Sequence, residues 1–238
     1  MIPKKIHYFW FGGNEKPKSV QKCINSWKKY CPDYEIIEWN EMNFDIHCMS
    51  FVEQAYEAKK YAFVSDVARL MVVYEYGGIY MDTDVEVIKP LDDLLENRAY
   101  MSFENNENIN TGQGFGAEAG MPFFKEHIDV YKNVYFVNSD RTYNQTACTK
   151  YTTKLLSQKG LTLNGQKQEI DGVNIYPAEY FNPYDSLTGK LTKTPSTYSI
   201  HWYDASWSDK SSKLLKINRA IRRIIGTETI EKLKKIIK

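Results

Sequence analysis

The first forty residues predict an α/β protein built on a mainly parallel sheet, because strand, helix and strand signals follow one another without a hairpin turn between them. The run Lys5 to Phe11 (KIHYFWF) is rich in β-formers and closes on Gly12 and Gly13, as a buried first strand ending in a loop should. Lys16 to Tyr30 places Val20, Cys23, Ile24 and Trp27 at helical spacing, with Pro17 suited to the first turn and Pro32 as the stop. Glu35 to Trp39 (EIIEW) is the second strand.

The pattern continues. Ala55 to Tyr76 reads as one helix, with Phe63, Val67, Leu70, Met71 and Tyr74 on a stripe and Gly77 and Gly78 as its end. A short strand, Ile79 to Met81, must follow, and Val85 to Ile88 continues extended up to Pro90. Tyr100 to Phe103 and Gly112 to Ala117 read as strands around a polar loop, Glu104 to Asn110. Helices are expected near Pro122 to Tyr135 and Gln145 to Gln158, and late strands at Ile170 to Ile175 and Tyr198 to Trp202.

Composition narrows the function. Among 238 residues, 42% are hydrophobic and 31 lysines and arginines nearly cancel 30 acidic residues, which argues against disorder and against a nucleic-acid partner. Eighteen tyrosines exceed what a core of this size needs, so some rings are expected to line a cleft. Cys23, Cys31, Cys48 and Cys148 form no CxxC pair, which predicts free thiols in a reducing compartment. The start lacks a signal-peptide pattern and no run is long enough to span a membrane, so a cytoplasmic protein is expected.

Residues 209–238 differ from the body, with a net charge of +7 against about −6 for the preceding 208 residues. Leu214, Ile217, Ile221, Ile224 and Ile225 share one helical face, and Ile230, Leu233, Ile236 and Ile237 repeat it. Two readings stay open: a helical tail packed on a domain of residues 1–208, or a peripheral anchor on an anionic membrane surface at the inner face of the cell.

The chemistry centres on Asp82 and Asp84. A bare DxD is a short pattern and reads equally as a strand-end turn with solvated carboxylates. Its placement favours a site, because the carboxylates leave a short buried strand where open α/β sheets bind ligands. Paired there, they suit a hard divalent ion, Mn²⁺ or Mg²⁺, completed by water and diphosphate oxygens. Upstream, Asp66 and Arg69 lie three apart on a helix, which by itself reads as an intrahelical ion pair.

The whole stretch SDVARLMVVYEYGGIYMDTDV resembles the core of the family 32 glycosyltransferases, which carry a DxD sugar-binding region. It also looks like the core of the clostridial glucosylating toxins. The opening IPKKIHYFWFGG and the late SIHWYDASW are similar to the same proteins' first strand and closing element, so the likeness covers about residues 1–207.

That resemblance implies a GT-A-type nucleotide-sugar-binding fold, with a mixed, mainly parallel sheet flanked by helices. It implies a donor of the nucleotide-diphosphate-sugar type, UDP- or GDP-linked, and a glycan or lipid-linked glycan acceptor in surface-polysaccharide synthesis. Asp82, Asp84 and His201 would stand at the metal. Ser65, Asp66 and Arg69 would hold the sugar, and Phe9, Trp10 and Tyr80 would contact the base. Ser206 and Trp207 would lie near the diphosphate, and Asn110 and Gln113 would face the acceptor. Transfer with retention of configuration follows by analogy. The family's Thr-Gly-Pro element is replaced here by Gln145, Thr146, Ala147 and Cys148, which departs from the acceptor-side pattern. Two other functions also fit a paired carboxylate: a metal-dependent phosphohydrolase or nucleotidyltransferase, and a non-catalytic glycan-binding protein.

Overall fold

The computed structural model describes residues 1–203. The opening unit is as the sequence predicts. Strand β1 (Lys5–Phe9) pairs in parallel with β2 (Glu35–Trp39) across helix α1 (Lys18–Tyr30), which buries Val20, Cys23, Ile24 and Trp27.

The single helix expected over Ala55 to Tyr76 is two, α2 (Ser50–Glu57) and α3 (Tyr61–Tyr76). Lys59 between them has φ 56°; its N–H donates to the Tyr56 carbonyl at 2.8 Å and the Lys60 N–H to Ala55 at 2.8 Å. This is the Schellman pattern, usually signalled by glycine, and a lysine in that place hides the break from sequence reading. The reversal lets both apolar faces reach one core: Phe51, Val52 and Ala55 from α2 meet Val64, Val67 and Ala68 from α3. Gly77, at φ 62°, then turns the chain out of α3 into β3 (Gly78–Tyr80).

Strand β4 (Val85–Val87) leaves the main sheet. The rest of that sheet comes from β5 (Ala99–Asn105), β6 (Asn108–Asn110) and β7 (Phe115–Ala117). Helices α4 (Pro122–Tyr131) and α5 (Cys148–Gln158) follow, and then β8 (Gln168–Ile170) and β9 (Val173–Tyr176). The polar loop expected over Glu104 to Asn110 is therefore largely a β5–β6 hairpin. The strand expected at Ile170 to Ile175 is also a hairpin, turning at Asp171 and Gly172, both at positive φ, as Asp-Gly turns prefer.

The sheet order is β2-β1-β3-β7-β5-β9-β8, with β6 on β5. Its pairings leave β1, β2, β3, β5 and β9 running one way and β6, β7 and β8 the other, so the sheet is mixed and mainly parallel. Alternation along the strands divides the core. Phe9 and Tyr80 face α2 to α4 on one side, while Ile6, Tyr8 and Ile79 face α1 on the other.

Finally β10 (Ser199–His201) returns to pair antiparallel with β4, setting His201 opposite Val85. Among the described residues no helix is long and apolar enough to cross a membrane. Ser206, Trp207 and the basic segment 209–238 lie outside the described residues.

Candidate active site

Parallel β1 and β3 end on the same edge of the sheet, and the chain leaving β3 carries the two aspartates. The Asp82 N–H donates to the Gly112 carbonyl at 3.0 Å, anchoring the strand end to the loop before β7. The Val85 N–H returns to the Asp82 carbonyl at 3.0 Å, a tight turn that brings Asp84 beside Asp82. The Asp84 carbonyl accepts the Trp202 N–H at 3.0 Å, and His201 Nε2 stands 3.3 Å from Asp84 Oδ1. One ligand atom from each of Asp82, Asp84 and His201 lies within 4.8 Å of the others.

The donor set fits a divalent cation. It offers two carboxylates and one imidazole, and the Nδ1 of His201 is buried without a hydrogen-bond partner. Burial works against the charged imidazole, but Asp84 and Asp82 outweigh it and raise the His201 pKa above its ordinary value.

A second group joins the first from α3. Arg69, only 2% exposed, donates through Nε to the Ser65 carbonyl at 2.8 Å and through Nη2 to Asp66 Oδ1 at 2.6 Å. The same Nη2 lies 3.5 Å from Asp82 Oδ1, and the guanidinium sits 4.9 Å over the ring of Tyr80. Burial opposes its charge, yet Asp82, Tyr80 and Asp66 hold the Arg69 pKa well above normal. Burial raises the Asp66 pKa, against the pull of Arg69. Arg69 is thus a buried clamp between the helix and the metal strand, with Nη1 alone left without a partner.

The aromatic residues divide. Tyr80 is 1% exposed and its hydroxyl donates to Asp82 Oδ1 at 2.6 Å, so it supports a carboxylate from within the core. Phe9 is packed against Phe11 and Phe44, both at 5.3 Å between ring centres. Trp10 keeps exposed surface, and its indole N–H donates to the Asn14 carbonyl at 2.6 Å.

The expected acceptor-side residues are committed inward. Asn110 Nδ2 donates to Glu104 at 3.0 Å and its Oδ1 accepts the Gly112 N–H at 2.6 Å. Gln113 is fully buried and binds Ser102 Oγ at 2.5 Å and the Phe103 carbonyl at 2.8 Å, bracing β5. Cys148 stands at the start of α5, and burial, with the Asp66 carboxylate adding to it, raises its thiol pKa well above the ordinary value. A hollow of about 520 Å³ lined by Asp93, Arg98, Lys167 and Tyr176 shares no residue with this cluster.

Sequence reasoning missed Gly112 and Glu104. The NTG turn after Asn110 was the available signal for the first; nothing in the sequence marked the second.

Residues 17–101 match the family described as glycosyltransferase sugar-binding region containing DXD motif. Over those residues the chain is similar to this family of glycosyltransferases. It is 28% identical over 232 residues to inositol phosphoceramide mannosyltransferase 1 of Schizosaccharomyces pombe, covering 89% of this chain and 67% of that protein. Inositol phosphoceramide mannosyltransferase 3 of the same yeast is 34% identical over 133 residues, covering 53% of this chain and 36% of that protein. The solved structure of the PaToxG glycosyltransferase superposes with a TM-score of 0.50 at 18% identity, covering 67% of this chain and 70% of that one. The likeness in fold and the mixed sheet identify the GT-A architecture of this glycosyltransferase.

Proposed function

We propose that this glycosyltransferase moves a hexose from a nucleotide-diphosphate sugar to an acceptor hydroxyl, with a divalent cation held by Asp82, Asp84 and His201. The convergence of those three ligands beside the Asp66–Arg69 clamp carries the reading. A bound cation supplies Lewis-acid neutralisation of charge on the departing diphosphate, a contribution of several kcal/mol. The imidazole favours Mn²⁺ over Mg²⁺, which prefers an all-oxygen set.

Ser65 and Asp66 orient the sugar: the Asp66 carboxylate accepts from its hydroxyls while Arg69 fixes that carboxylate from behind. The unpartnered Nη1 of Arg69 is the donor that remains for the sugar or a phosphate oxygen. Trp10 offers an aromatic face to the base, while Phe9 and Tyr80 pack against each other in the core on the other side of the sheet. The family resemblance assigns Ser206 and Trp207 to the diphosphate. Retention of configuration follows from the family resemblance, with the acceptor hydroxyl attacking on the face the diphosphate leaves and giving up its proton to the departing oxygen.

The relatives' names carry a mannosyl group and an inositol-phosphate lipid, which supports a hexose donor and a lipid-linked acceptor. Residues 1–208 then form the transferase domain, and the basic segment 209–238 holds it at an anionic membrane surface on the cytoplasmic side. The test is a thermal-shift screen of UDP- and GDP-sugars with Mn²⁺, followed by product analysis with the responding donor. Stabilisation by one donor, Mn²⁺-dependent transfer, and loss of both in the Asp82→Asn, Asp84→Asn variant are expected. Undiminished transfer by that variant overturns the reading.

A further inference from the structure

We propose that Glu104, a β5 residue outside the metal cluster, is the positioning residue that fixes the two arms of that cluster relative to each other; this rests on the cluster's reading as a cation site. One carboxylate oxygen makes the junction. Glu104 Oε1 accepts from Asn110 Nδ2 at 3.0 Å and from the Tyr203 hydroxyl at 2.9 Å.

The first arm runs from Asn110, whose Oδ1 holds the Gly112 N–H at 2.6 Å, through the Gly112 carbonyl, which holds the Asp82 N–H at 3.0 Å. The second runs through Tyr203, whose ring stacks on the His201 imidazole with centres 4.0 Å apart. Asn182 braces both, since its Nδ2 donates to the Glu104 carbonyl at 2.9 Å and to the Tyr203 hydroxyl at 2.8 Å.

The junction matters because the ligands belong to different sheets. Asp82 is tied to the main sheet through Gly112, whereas Asp84 directly precedes β4 and His201 is the last residue of β10 in a two-stranded ribbon of three residue pairs. A ribbon that short is marginal by itself, and a cation needs its ligands held to within a fraction of an ångström. Glu104 stands on the main sheet and reaches the ribbon's end, so it couples the two. Groups that orient metal ligands in this way typically change affinity 10- to 100-fold when removed.

The test is titration of the metal-free protein with Mn²⁺, reading the free-ion electron-spin-resonance signal, for wild type, Glu104→Ala, Glu104→Gln and Tyr203→Phe. Glu104→Ala is expected to weaken Mn²⁺ binding by about tenfold or more. Glu104→Gln should stay within about threefold of wild type, because its amide oxygen still accepts both hydrogen bonds. Tyr203→Phe, which keeps the stacked ring and loses only the hydroxyl, should weaken binding in the same direction. Wild-type affinity in Glu104→Ala, or a Glu104→Gln variant as weak as Glu104→Ala, overturns the proposal. If circular dichroism shows that Glu104→Ala does not fold, unchanged affinity in Tyr203→Phe overturns it. A wild type that binds no Mn²⁺ removes the cation site and the proposal with it, an outcome distinct from a wild type and Glu104→Ala that bind equally.

Discussion

The Oδ2 atom of Asp82 occupies the space beside Gly112 that a side chain there would take: a Cβ built on Gly112 would lie 2.2 Å from it. The same Cβ would stand 3.1 Å from Arg69 Nη1 and 3.1 Å from Asn110 Oδ1, so three site groups close on one missing methyl. Gly112→Ala must therefore displace the Asp82 carboxylate. Mn²⁺ affinity and sugar transfer are expected to fall at least tenfold, as for other displaced metal-ligand supports. Far-UV circular dichroism should be unchanged, and titration of the variant with Mn²⁺ checks the point.

Arg69 bridges Asp66 and Asp82 while almost wholly buried. Arg69→Met leaves both carboxylates without their cation and should destabilise the fold by about 3 kcal/mol, the scale for breaking a buried pair from one side. Arg69→Lys keeps the charge but loses the fork that reaches Ser65 and Asp66 together, so a smaller loss is expected. Urea unfolding measures both, and a cycle with Asp66→Asn should show less than additive losses.

Burial, with Arg69 adding to it, lowers the pKa of His127 to about 3, so the folded protein keeps this imidazole neutral. The unfolded chain protonates it near its ordinary value of about 6.5. The unfolded state then binds more protons between these two values, and stability is lost as pH falls through 6.5 toward 3. Between pH 7 and pH 5 this single group should cost about 2 kcal/mol. His127→Gln should flatten that part of the stability profile, as measured by denaturant unfolding at each pH; an unchanged slope would assign the acid sensitivity elsewhere.

Deleting residues 209–238 removes a net +7 and should weaken binding to phosphatidylserine-containing vesicles, with each basic residue near the surface contributing about 1 kcal/mol. Co-sedimentation at low and at physiological salt checks it. Equal binding by the full chain and the truncated one would leave the packed-tail reading in its place.

What the sequence alone determined is the local chemistry. The first strand, helix and strand, the stripe on α3, the glycine stop before β3 and the DxD at that strand's end are all written in neighbouring residues, and short-range periodicity suffices to read them. Asp66 and Arg69 are legible for the same reason, being three apart on one helix. The Lys59 break was hidden because lysine occupies a left-handed turn that glycine would have announced.

Only the tertiary structure decided the rest. The likeness of SIHWYDASW to the family's closing element implied His201 at the metal, but that β4 leaves the main sheet to meet β10 depends on a pairing between distant segments that periodicity within neither one encodes. Glu104 carries no local signal at all, since its role consists of two hydrogen bonds to residues brought near by the sheet. Sequence fixes what each residue can do within a turn or two of its neighbours; which distant groups it meets is set by how the strands share the core.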